Sequence, residues 1–366
     1  MKIRKAKEIM SARERVRKTF AHEKTDRVTI GYEANPGVHR RVMESLEIKN
    51  GSAEDLLEAL GIDYRGIWAP YTGKPLYEEI PNRRRDPLVG SVERWVEHSS
   101  GGYWDLCDFP LKDAAEEAFA QFPVPNPDDF DYDAALEQAK SFGGKYGLYA
   151  GGAGFPGFIN SNGRIMGMED VFCHLLQEYE LALNFMRRRV QFQLGLLERT
   201  ISKCREYLDF LWFGEDLGGQ HAPMISLELY RKVVKPIHRQ FFDLAKSYNL
   251  PCIVHTCESS SWAYEDFIEM GVSGVDTLQP EAANMSPEYL KSQFGNRLCY
   301  RGCISTAGPL AFGSPWEVRE SVRKTLAIMM DGGGYHFAPT HAIQDNTPAE
   351  NVVAMYQAAH DFGVYR

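Results

Sequence analysis

Residues 210–257, FLWFGEDLGGQHAPMISLELYRKVVKPIHRQFFDLAKSYNLPCIVHTC, carry an apolar run, a helical pattern and a second apolar run in that order. FLWFGED (210–216) and CIVHTC (252–257) are short, rich in aromatic or β-branched residues and end in polar groups, which is how a buried strand reads. Between them SLELYRKVVKPIHRQFFDLAKS (226–247) opens on Ser226 with a Glu nearby and breaks or kinks around Pro236. A strand, a crossover helix and another strand is what a parallel sheet requires. Working outward, the same kind of run recurs at 28–34 (VTIGYEA), 62–70 (IDYRGIWAP), 146–152 (YGLYAGG), 275–280 (VDTLQP), 298–305 (LCYRGCIS) and 335–341 (YHFAPTH). From the third run onward a helical pattern separates most neighbours. Residues 11–21 begin at the N-cap candidate Ser11, and 169–203 carry apolar spacing for two helices or more. Residues 315–330 and 347–361 follow the pairs Ser314-Pro315 and Thr347-Pro348. Eight strands with crossovers predict an α/β fold of the (β/α)8 TIM-barrel type, with a doubly wound open sheet as the alternative.

The chain has 366 residues, about two and a half times a typical domain, yet a single barrel can absorb that length. The expectation is one domain over 1–366 with an insertion at about 71–130. There SVERWVEHSSGGYWDLCDFPL alternates and should turn at Ser100-Gly101-Gly102 as a β-hairpin. An apolar fraction of 44% and a charged fraction of 25% describe an ordinary globular chain, and the net charge of −9 argues against general nucleic-acid or anionic-membrane affinity. No apolar run approaches the ~18 residues of a membrane span. MKIRKAKEIMSARERV lacks a secretory apolar core, so a cytoplasmic protein is expected. Seven cysteines, an odd number spread over the chain, do not read as a disulfide framework. GGAGFPG (151–157) and DGGGY (331–335) carry neither a dinucleotide fingerprint nor a phosphate-loop lysine, and no G-x-S-x-G is present.

A barrel places its chemistry at the C-terminal ends of its strands. The polar tails of the eight runs supply Glu33, Asp63, Glu215, Asp216, His255, Cys257, Gln279, Arg301 and His341. In an extended segment residues two apart share a face, so His255 and Cys257 can point together into the barrel mouth. Imidazole and thiolate favour zinc, with bonds of about 2.0–2.1 and 2.3 Å, and His341 is the best third ligand. The bland alternative is a buried His beside a core Cys. Glu215 and Asp216 are adjacent, so at most one is expected to be catalytic, and a helix-capping carboxylate is the competing reading. Cys299 and Cys303 are expected to pack.

Several blocks carry a resemblance: 214–247 (GEDLGGQHAPMISLELYRKVVKPIHRQFFDLAKS) with VHTCESS, 274–298 (GVDTLQPEAANMSPEYLKSQFGNRL), RGCIST, and 332–359 (GGGYHFAPTHAIQDNTPAENVVAMYQAA). Together they resemble the uroporphyrinogen decarboxylase superfamily, over about residues 10–360. The resemblance implies a distorted (β/α)8 barrel. True decarboxylases of that superfamily hold their porphyrinogen with paired arginines in an R-Q-A-G-R segment. Here VTIGYEANPGV puts Tyr32 and Pro36 at those places, although Asp63 resembles the aspartate that holds pyrrole N–H groups. The corrinoid-dependent methyltransferase branch binds zinc through H-x-C and a distant Cys. This chain keeps His255-x-Cys257 but has His341 at the distant position, which departs from thiol activation and fits relatives proposed to demethylate methoxylated compounds. The resemblance therefore implies a methyltransferase acting between a small methyl donor and a corrinoid (cobalamin) on a separate corrinoid-binding protein. Zinc would sit at His255, Cys257 and His341, with Glu215 or Asp216 as auxiliary ligand or base. Tyr32, Trp68, Trp104 and Phe155 are candidates to line an aromatic substrate, with Asp63 and Gln279 beside them. A decarboxylase for a smaller acid is the alternative, resting on Arg65 and Arg301 as carboxylate clamps. A non-catalytic tetrapyrrole or corrinoid binder is a third reading.

Overall fold

The computed structural model describes residues 2–49, 51–98 and 101–365. Eight parallel strands form one sheet: β1 (Thr29–Ile30), β2 (Tyr64–Gly66), then, beyond an inserted sheet of β3 (Arg84–Arg85), β4 (Val92–His98) and β5 (Gly101–Cys107), the strands β6 (Gly147–Pro156), β7 (Leu208–Gly214), β8 (Cys252–His255), β9 (Gly274–Leu278), β10 (Cys299–Ile304) and β11 (Tyr335–Pro339). The spatial order β1-β11-β10-β9-β8-β7-β6-β2 brings the first two strands to the two ends of the ladder. There the Asp63 N–H donates to the Ile30 carbonyl at 2.9 Å, and the Ile30 N–H donates to the Asp63 carboxylate at 2.7 Å. A side chain thus completes the β1–β2 seam where strand pairing runs out. The result is a near-closed, distorted barrel, the predicted class. All eight expected strands form.

Alternation sorts the strand residues into two cores. Phe210, Trp212, Ile253 and Tyr64 point inward and pack with Val16, while Leu211, Phe213, Cys252 and Val254 face the surrounding helices. Val16 and the adjacent Phe20 belong to the helix Ala12–Phe20, which reaches the inward-facing residues of the barrel. Ser11 caps that helix as expected, accepting from the Glu14 N–H at 3.1 Å. The 169–203 pattern resolves into Met168–Gln177 and Glu180–Cys204, broken at Glu178 with φ 51°. Near Pro236 the backbone widens into a π-turn over Tyr230–Val234 before Lys235–Ser247.

Three local expectations need correction. His98 pairs with Gly101 and Glu97 with Gly102, so both glycines are strand residues and not a turn; Ser99 and Ser100 lie outside the described residues. The last helix starts at Ala349 with Pro348 ahead of it, and Thr347 does not cap it. Asp63 precedes β2 where the run was expected to end at the site, which places it at the N-terminal end of the barrel.

Candidate metal site at the barrel mouth

β8 delivers His255 at its last position, and alternation from Ile253 turns the imidazole inward. Cys257, two residues on, brings its Sγ to 3.4 Å from His255 Nε2. His341, beyond the end of β11, stacks edge-on with its ring centroid 5.8 Å from that of His255. One ligand atom from each of His255, Cys257 and His341 lies within 4.8 Å of the others. Zinc with bonds of about 2.0–2.3 Å makes a tetrahedron whose N–S edge is about 3.5 Å. The His255–Cys257 pair already has that spacing, and His341, exposed, is free to close the remainder by side-chain rotation. Two imidazoles and a thiol therefore fit a metal ion of borderline softness.

Behind the triad lies a layer built on Asp276 and Thr277, which the sequence did not single out, and on Arg301 and Glu33, which it did. His255 Nδ1 donates to Asp276 Oδ2 at 3.0 Å, and the Thr277 hydroxyl lies 2.5 Å from the same nitrogen. Consecutive residues of one strand ordinarily face opposite sides. Here Thr277 has φ 64° and the β9–β10 register shifts between Tyr300 and Gly302, so both residues reach one ring. A β-branched residue in the left-handed region is costly, of order 1–3 kcal/mol, and such positions cluster at functional sites. Asp276 Oδ1 also accepts from Arg301 Nη1 at 2.5 Å, while Arg301 donates to the Tyr64 hydroxyl at 2.7 Å and to Glu33 at 3.2 Å and lies over the Trp212 ring. Burial resists charge on Asp276, yet the Arg301 guanidinium and His255 hold its carboxyl below the usual range. Burial likewise resists charge on His255, and the Asp276 hydrogen bond and charge, with Asp216 and Glu33 farther off, outweigh it and raise its pKa. A carboxylate fixing the far nitrogen of a ligating His sets its tautomer and aim. The signal was present in VDTLQP, where a carboxylate inside an apolar strand has to be buried and partnered.

The two adjacent carboxylates divide their roles. Glu215 accepts from the Ile159 N–H at 3.0 Å and the Asn160 N–H at 3.1 Å, so it caps the start of helix Asn160–Met166, with His238 3.5 Å away. Asp216 accepts from the Cys257 N–H at 3.0 Å and from Asn160 Nδ2 at 2.6 Å, which fixes the turn that carries the thiol. Burial pushes the Cys257 thiol far above its ordinary range, and the Asp216 carboxylate pushes it further. Without a cation beside it the thiol keeps its proton.

Two cavities meet at this point. The larger, about 1050 Å³, is mostly apolar; Phe155, Met168, Phe192 and Met224 wall it, and Leu88, Val89, Leu106 and Phe109 close over it from the inserted region. The smaller, about 270 Å³, is lined by hydroxyls, an amide and carboxylates, including Thr277, Gln279, Glu281, Ser305 and Thr306. Cys257, Glu258 and His341 border both. Of the residues expected to touch substrate, Phe155 lines the larger cavity and Gln279 the smaller. The others are not gathered there. Tyr32 packs on Tyr356 and meets His39 Nδ1 at 3.3 Å, Trp68 is 63% exposed, and Trp104 pairs with Trp95 on the inserted sheet. Asp63 is buried between Arg15 and Arg27, 2.5 and 2.6 Å away. Arg65 is held by Glu54 at 2.7 Å.

The model of the family described as uroporphyrinogen decarboxylase (URO-D) matches residues 165–362. A uroporphyrinogen decarboxylase of Alkalilimnicola ehrlichii is 23% identical over 268 residues, covering 71% of this chain and 69% of its own length. Among solved structures, a methyltransferase from Methanosarcina mazei superposes with a TM-score of 0.67 at 15% identity, covering 96% of this chain and 99% of that one. No described helix is long and apolar enough to cross a membrane.

Proposed function

We infer the activity from the premise that this chain belongs to the uroporphyrinogen decarboxylase (URO-D) family. The reading is a cytoplasmic methyltransferase that moves a methyl group between a small donor, a methoxylated aromatic first, and a corrinoid carried by a separate partner protein. The observation that carries it is the His255, Cys257 and His341 donor set where an apolar and a polar cavity join. The superposition with a methyltransferase barrel is consistent with it.

In the demethylation direction the methyl carbon leaves the ether oxygen for cob(I)alamin, which becomes methylcobalamin, and the departing oxygen takes up one proton from solvent. Zinc held by His255, Cys257 and His341 would supply Lewis acidity where negative charge develops on that oxygen. The chain's own groups do the rest. Asp276 and Thr277 aim His255, and Asp216 with Asn160 fixes the Cys257 turn. Glu215 holds helix Asn160–Met166 against the cavity. Phe155 and its apolar neighbours bind the ring and exclude water, and Gln279 lies across the metal site from them.

The decarboxylase reading is weaker because its two arginines are engaged, Arg65 by Glu54 and Arg301 by Asp276 and Glu33. An anaerobic absorbance assay decides between them. Incubation with methoxyarenes, cob(I)alamin and its carrier protein is expected to convert the cob(I) band to that of methylcobalamin. No conversion with the carrier present, together with CO2 release from a carboxylic acid, would replace methyl transfer with decarboxylation.

A further inference from the structure

Arg189, in helix Glu180–Cys204, is 7% exposed, and none of the described carboxylates forms an ion pair with it. It donates instead to the Ser161 carbonyl at 3.1 Å, the Ser161 hydroxyl at 2.6 Å and Asn162 Oδ1 at 2.7 Å. Burial lowers its pKa to about 10, with Tyr77 and Asp86 opposing that only as more distant charges. Its hydrogen bonds go to neutral acceptors and leave its charge without an ion-paired carboxylate among the described residues, an arrangement that costs stability in a low-dielectric interior. Ser161, which it grips, forms part of the large cavity's wall, and so does Arg164 on the same short helix.

Arg164 is the only arginine or lysine among the described residues lining that cavity. Its side chain is 48% exposed, and its one carboxylate contact is Glu93 at 3.4 Å. Glu93 is already bound by Arg84 Nε at 2.6 Å. Two guanidinium groups, Arg84 and Arg164, thus share the Glu93 carboxylate, and Arg164 has donors to spare. The same cavity is walled by Phe155, Met168 and Phe192, which suit a flat apolar body, and is bordered by the metal triad.

We propose that the large cavity takes an aromatic carboxylate, with Arg164 holding the carboxylate beside Ser161 and the apolar walls enclosing the ring. This rests on the methyl-transfer reading for the identity of the ligand as the donor, and it names that donor's class as a methoxybenzoate. A planar guanidinium meets a carboxylate through two parallel hydrogen bonds, which a neutral alcohol cannot reproduce.

The test is calorimetric titration of the full chain, without corrinoid, with 4-methoxybenzoate and with its neutral counterpart 4-methoxybenzyl alcohol. Hydrogen bonds to charged groups contribute enough that the benzoate is expected to bind about tenfold more tightly or better. Arg164→Gln should erase that preference while leaving the alcohol's affinity in place, and Arg164→Lys should restore part of it. Thermal melting of each variant checks that the fold is kept, which the half-exposed position favours. Equal affinities in the unaltered protein, or a preference that survives in Arg164→Gln, would overturn the proposal. A clear preference lost in Arg164→Gln would support it even if methyl transfer itself failed, so the two readings fall separately.

Discussion

The two ends of the barrel both bury charge, and they do so in opposite ways. At the N-terminal end Asp63 sits between Arg15 and Arg27, Arg15 also binds Asp26, and Arg27 also binds Glu8. Asp209 takes Arg13 and Arg17 in the same manner. Every carboxylate oxygen of Asp26, Asp63 and Asp209 faces a guanidinium or a backbone N–H, and the cluster ties the N-terminal segment to the β1–β2 seam. At the C-terminal end Asp276 anchors His255 through Nδ1, Nε2 faces the Cys257 thiol and the Thr277 hydroxyl, and Cys257 and His341 border open space. The contrast separates a lock from a site. Buried charges saturated by partners hold structure, whereas polar groups aimed by partners and left with free ligand atoms are positioned to act.

Replacing His255 should break that contrast on the functional side. His255→Ala removes one of three ligands while Arg301 still pairs with Asp276. Methyl transfer is expected to fall by about three orders of magnitude with bound zinc lost and the melting temperature nearly unchanged. Elemental analysis beside the cob(I) assay reads both quantities. Near-normal transfer in a folded, zinc-free variant would remove the triad from the mechanism.

Asp63→Ala should do the reverse. It strips a buried counter-ion from two arginines and opens the seam, which costs about 3–5 kcal/mol in urea unfolding, with transfer per folded molecule unchanged. The same end should set acid stability. Burial opposes the charge of Asp26, but hydrogen bonds from Arg15 and from the Met10 and Ile9 N–H groups hold its carboxyl well below the usual range. A depressed carboxyl contributes stability that is complete above its unfolded value of about 4 and is lost as pH falls toward its folded one. Asp26→Asn should therefore flatten the acid limb of the stability profile. An unchanged limb would mean that other carboxylates carry it.

Asp276→Asn sharpens the comparison because Asp276 joins both behaviours, saturated by Arg301 on one oxygen and aiming His255 with the other. Zinc affinity is expected to drop about 10- to 100-fold, measured by competition with a chelator. No change in affinity would reduce Asp276 to a core ion pair.

What could be read from the chain beforehand follows the same division. The eight strands were legible because each is a buried apolar run bounded by turn residues, and His255-x-Cys257 was legible because alternation is local. Asp63 was misplaced because a carboxylate at a strand's start and one at its end look alike in a short run. Thr277 could not be read, since its left-handed backbone answers a register shift with β10, a partner far along the sequence. Arg189 beneath Ser161 was hidden for a similar reason: only the packed helices reveal that it forms no ion pair with a carboxylate among the described residues.

The smallest expected effect comes from a position at neither end. Ser314 starts the outer helix Pro315–Met329 with a capping box: its hydroxyl accepts from the Glu317 N–H at 3.4 Å, and its own N–H donates to the Glu317 carboxylate at 2.7 Å. Ser314→Ala leaves first-turn donors to water and should cost about 1 kcal/mol. Helix Pro315–Met329 packs against β10 and the last helix, Ala349–Phe362, and none of its residues borders either cavity at the metal site. Zinc content and transfer rate should accordingly stay at their unaltered values while the unfolding midpoint falls. If so small a loss on the outer shell moved zinc affinity as well, the metal triad would depend on overall rigidity and not on the local aim supplied by Asp276 and Asp216.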